Sequence, residues 1–75
     1  MNNILQKYAR DWLKDGLSRL TDESHTVFKM MYARDNGKRS VDEAKNMPIN
    51  EVVDRMPEEN LDWAMQQVQR SLDKL

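Results

Sequence analysis

Cysteine is absent from this 75-residue sequence, which excludes disulfides, zinc-thiolate sites and thiol nucleophiles together and suits a reducing compartment. No stretch approaches the roughly 20 apolar residues of a membrane-spanning helix. The start, MNNILQKYARDWLKDG, is charged through its first turns and lacks an apolar run with a small-residue cleavage site, so no secretory signal is expected. Together these absences lead us to expect a cytoplasmic protein. Alternating β-branched runs are missing too, and with them any expectation of strands. There is no phosphate-binding glycine loop, EF-hand loop or metalloprotease helix motif. A chain this short makes one domain, residues 1–75, and on folding buries only roughly 60% of its unfolded surface, so an enzyme-sized cleft is not expected.

Present instead is helical spacing. Leu5, Tyr8, Ala9, Trp12, Leu13, Leu17 and Leu20 recur at intervals of three and four, which predicts a first helix over about 3–20 with Trp12 in its core stripe, capped by Asn2 or Asn3. Gly16 lies on that apolar side, where a missing side chain lets another helix come close. Thr21 is a cap residue, with Asp22 and Glu23 at the positive end of the helix dipole. A second helix over about 22–34 is then expected to bury Val27, Phe28 and Met31, with Tyr32 at the edge. It stops at Asp35-Asn36-Gly37. Ser40-Val41-Asp42-Glu43 has the form of a capping box and starts a short helix at Val41.

Met-Pro occurs twice, at 47–48 and 56–57. Proline lacks an N–H and disfavours helix in the residue before it, yet suits the first turn of the next. Each pair therefore ends one helix and begins another: a short one to about Met47, a second over about 49–55, and a last from Pro57 to about Lys74. Leu61, Ala64, Met65, Val68, Leu72 and Leu75 form the apolar stripe of that last helix, which is expected to pack along the first. The fold class is all-α, a small bundle of three longer helices plus one or two short ones between Ser40 and Met56. The core is expected to hold Trp12, Leu17, Phe28, Met31, Val52, Leu61, Met65, Val68 and Leu72, with Val41, Ala44, Ile49, Val53 and Met56 turned toward it by the corners.

Few residues suggest chemistry. His25, the sole histidine, has no second ligand or nucleophile near it in sequence and reads as a surface residue. Glu58 and Asp62 have a sufficient electrostatic reason to begin a helix. No catalytic residue, cofactor or metal is expected. Trp63 points about 160° from Leu61 at about 100° per residue, so it is either covered by a short helix or exposed as an interface anchor. Met30 falls off its helix's apolar face and, in a chain with six methionines, is a candidate contact. Lys29, Arg34, Lys38 and Arg39, opposed only by Asp35, form a basic segment before a helix start. They either bind an anion or offset the acidic second half of the chain. Residues 1–40 hold eight Lys or Arg against five Asp or Glu, whereas residues 41–75 hold four against eight.

Leu17 to Glu51 resembles a sigma-factor type helix-turn-helix, but INEVVDR, where the recognition helix would lie, carries Glu51 and Asp54 against Arg55 alone and would repel phosphates. YARDNGKRSVDEA and LDWAMQQVQRSL, with most of the remaining chain, resemble the small uncharacterised proteins encoded by tailed bacteriophages and prophages. That resemblance implies a bacterial host cytoplasm and modulation of a host or phage protein by binding. The expectation is a non-enzymatic protein-binding module with Trp63, Met30, Tyr32, Lys38 and Arg39 as partner contacts. Nucleic-acid binding and self-association are the alternatives; nucleic acid is disfavoured, a membrane is not expected, and a homo-oligomer stays open.

Overall fold

The computed structural model describes residues 3–36 and 45–75. Within them lie helix α1 (Asn3–Ser18), α2 (Asp22–Asn36), α3 (Ile49–Arg55), a single 3-10 turn (Glu58–Asn60) and α4 (Leu61–Asp73), with no strand among the described residues. The chain is an all-α bundle, as its periodicity predicts. The Asn2 cap, the stop at Gly37, the Ser40–Glu43 box with its helix start, the core positions of Val41 and Ala44, and Lys38 and Arg39 lie outside the described residues.

Between α1 and α2 the helix ends are closed by backbone and side-chain groups together. Arg19 and Leu20 N–H groups donate to the carbonyls of Gly16 and Leu17, closing α1 two residues earlier than its apolar pattern suggests. Thr21 Oγ1 accepts from the Ser24 N–H at 3.1 Å, the expected cap. His25 reaches back so that ring Nε2 meets the Leu17 carbonyl. A carbonyl only accepts, so Nε2 is the protonated nitrogen in this contact. His25 is thus half-buried and holds the end of α1, which corrects its reading as a surface residue.

α4 packs along α1, as its stripe predicts, and α3 packs against both α1 and α2. Leu13, Leu17, Phe28, Tyr32, Val52, Val53, Met56, Leu61, Ala64 and Val68 form one buried cluster, against which Met47, Ile49, Met65 and Leu72 lie half-buried. Gly16 sets the α1–α4 distance: a Cβ there would stand 2.8 Å from Val68 Cγ1 and 3.5 Å from Leu72 Cδ1. The close approach expected of this glycine is realised.

Both Met-Pro pairs break the helix. Pro48 and Pro57 have extended backbones, with ψ of 142° and 147°, and serve as the residue just before the next helical turn rather than within it. Proline brings no N–H to the ladder, so carbonyls of the preceding turn lose helical donors, and the Val53 carbonyl accepts from the Met56 N–H at 3.3 Å instead of from residue 57. Two cations from earlier helices meet them. Lys29 Nζ donates to the Lys45 and Met47 carbonyls at 3.0 and 2.8 Å, and Arg10 Nη1 donates to those of Val53 and Met56 at 2.6 and 2.8 Å. Lys14 adds an ion pair to Asp54 at 2.6 Å. Charged side chains of α1 and α2 thereby fasten the two corners that wrap the core.

Candidate partner-binding surface

The apolar positions of α1 span too wide an arc for one core contact. At about 100° per residue, Trp12 and Leu17 stand about 140° apart, and only the Leu13–Leu17 side is buried. Leu5 and Tyr8 remain 59% and 69% exposed, and Trp12, expected in the core, is 37% exposed. That corrects its assignment. The cause is placement: α4 makes its close approach to α1 at Gly16, one turn beyond Trp12, and Leu5, Tyr8 and Trp12 stand along the groove that opens between the two helices.

These three side chains form one wall of an open groove of about 680 Å³, whose other wall is Leu61 and Met65 of α4, with Ala9 between. Asp11, Glu58 and Asp62 also line it, and no lysine or arginine does among the described residues. Asp11 and Asp62 are exposed. Glu58 is half-buried and accepts a hydrogen bond from Gln6 Nε2 at 3.0 Å. The surface is thus apolar with a rim of carboxylates. The signal for it lay in the sequence: an apolar arc wider than the roughly 100° a core-facing helix needs.

Of the residues singled out from sequence, Trp63 and Tyr32 meet, but within the fold, and Met30 stands apart from them. Met30 is 41% exposed and lies beside exposed Val27, half-buried Met31 and Arg34 in a separate shallow depression on α2. Val27 was expected inside; the buried face of α2 is instead Phe28, Lys29, Tyr32 and Ala33. Tyr32 is 5% exposed, a core residue rather than an edge one. Trp63 is half-buried, its ring centroid 5.6 Å from that of Phe28 and 6.2 Å from that of Tyr32 in tilted arrangements. Cover for this tryptophan therefore comes from α2.

The two described members of the basic segment are engaged separately. Lys29 is only 9% exposed and committed to the Met47 corner. Arg34 pairs with Asp35 at 2.9 Å, and this hydrogen bond and charge raise the guanidinium pKa above its already high ordinary value. In α3, at the recognition-helix position of the helix-turn-helix resemblance, Val52 and Val53 are core, Glu51 pairs with Arg55 at 2.8 Å and Asp54 with Lys14. Among the described residues no three His, Asp or Glu side chains gather to hold a metal, and no helix is long and apolar enough to cross a membrane.

Comparison with protein-family models, with curated proteins and with solved structures finds no match for this chain.

Proposed function

We propose that this chain is a small non-enzymatic protein-binding module that works in the cytoplasm of a bacterial host by occupying a surface of a host or phage protein. The observation that carries the reading is the exposed Leu5, Tyr8 and Trp12 wall on α1, opposite Leu61 and Met65. A domain of this size has little apolar surface to spare. Withdrawing one such side chain from water on docking stabilises a complex by about 1.5–3 kcal/mol before ordering costs. Aromatic residues at the centre of an apolar patch are the usual anchors of interfaces. The resemblance to small phage proteins supports a host or phage protein as the partner, and the loss of Lys29 to an internal role weighs against nucleic acid.

Tyr8→Ser tests the reading. Its side chain is mostly in water, so the stability of the fold should change by no more than about 0.5 kcal/mol. A partner captured by the unaltered chain from a bacterial lysate should be lost with Tyr8→Ser and with Leu5→Ser. Undiminished capture by both variants would remove α1 as the binding face.

A further inference from the structure

The same groove carries information about what fits it. Three carboxylates stand on its lining: Asp11 on α1, Glu58 in the 3-10 turn and Asp62 on α4. No cation lines it among the described residues, although the chain as a whole is nearly neutral, with 12 Lys or Arg against 13 Asp or Glu. Of the cations nearest in sequence, two are engaged with α3 and its corner, while Lys7 shares a separate depression with Asp11. Arg10 is spent on the carbonyls of Val53 and Met56, and Lys14 on Asp54. The lining thus carries the exposed carboxylates of Asp11 and Asp62, and no described cation, over an apolar floor; exposed charges less than about 10 Å from a bound ligand act on it with little screening.

Three classes of occupant meet that field differently. Nucleic acid and an anionic membrane surface are repelled. A second copy docking across a two-fold axis sets the same face against itself, so it brings Asp11 and Asp62 against their own kind. An amphipathic helix whose apolar stripe is flanked by lysines or arginines satisfies both features at once, with its stripe on Leu5, Tyr8, Trp12 and Met65 and its cations on the rim. Helix-in-groove docking is the common mode for such a partner. We propose that the α1–α4 groove receives a basic amphipathic helix of another protein. This rests on the reading of α1 as the binding face and adds the charge and form of what binds there.

Calorimetric titration with two synthetic peptides tests it. Both have about 18 residues, about 27 Å as a helix, against a molecular extent of 29 Å. Both carry a leucine stripe at helical spacing. One has lysines flanking the stripe and the other glutamates. The lysine peptide should bind at least about 10-fold more tightly than the glutamate peptide, and its affinity should fall several-fold between low and physiological salt. Asp11→Lys with Asp62→Lys should reverse the preference. Both positions are exposed, so the double variant should keep its helical circular dichroism. Tyr8→Ser should abolish binding of either peptide.

Equal binding of both peptides, lost in Tyr8→Ser, would overturn the basic-partner inference while leaving α1 as a docking face. Binding of neither, with light scattering showing a dimer that Tyr8→Ser dissociates, would make a second copy the occupant and overturn the inference likewise. Binding of neither by a monomer whose natural capture survives Tyr8→Ser would overturn both.

Discussion

Gly16 of α1 and Val68 of α4 meet so closely that a methyl group added to the glycine would stand 2.8 Å from the valine Cγ1. Valine is stiff about its first side-chain torsion, and here it is buried, so it cannot swing aside without moving a helix. Gly16→Ala gains roughly 1 kcal/mol in helix propensity but overpacks the contact at a cost of about 1–3 kcal/mol. The net change should be a loss of up to about 2 kcal/mol in urea unfolding. In a double-mutant cycle with Val68→Ala, the pair should be more stable than the sum of the singles requires, because the shorter side chain makes room. Strict additivity would show that the helices simply move apart.

Arg10 holds two carbonyls of the second Met-Pro corner through one nitrogen. Arg10→Met keeps the apolar stem and removes the donors, leaving part-buried carbonyls without this partner. Hydrogen bonds to charged groups contribute about 1.5–3 kcal/mol, so a loss of about 2–3 kcal/mol is expected. Arg10→Lys, which retains a cation, should recover part of it. A Met variant within about 0.5 kcal/mol of the unaltered chain would mean that water serves those carbonyls equally well.

For Lys29 the expectation is similar in sign and smaller. Its burial costs the ammonium hydration, so Lys29→Met relieves a desolvated charge while stripping the Lys45 and Met47 carbonyls of a donor. We expect a net loss of about 1–2 kcal/mol, accompanied by faster amide exchange at Glu51 and Val52, whose N–H groups bond the Pro48 carbonyl. Unchanged exchange there would separate Lys29 from the corner.

Helix positions and both proline corners were legible in the sequence because they follow from spacing and from the missing proline N–H. The α3 limits, Ile49–Arg55, are those the pattern predicts. Side-chain placement was less legible. Periodicity says which residues share a face but not which edge of a wide face a neighbour covers, so Trp12 and Leu17 read alike although only Leu17 is inside. On α2 the pattern is disguised, because Lys29 takes a core position by virtue of carbonyls that lie 16 and 18 residues away. With Lys29 read as solvated, the apolar face appeared to centre on Val27 and Met31. The groove rim draws carboxylates from three separate elements, and no local spacing brings Asp11 beside Glu58 and Asp62.

Trp63 packs against two rings of α2, and its removal should therefore be felt in the fold. Trp63→Ala should cost about 3–4 kcal/mol, combining lost apolar burial with two aromatic contacts of about 0.5–1.5 kcal/mol each. Trp63→Phe should keep most of it. Thermal unfolding would decide: a drop in melting temperature of only a degree or two for the alanine variant would return Trp63 to the surface as a free anchor.

The two cationic clasps close very different lengths of chain. Lys29 reaches carbonyls 16 and 18 residues on, while Arg10 reaches across 43 and 46. By loop-closure entropy the longer ring costs about 0.9 kcal/mol more to shut. During refolding, then, the hairpin between α2 and α3 is the one favoured to assemble early, and the amino-terminal helix is the latch that arrives afterwards and locks it.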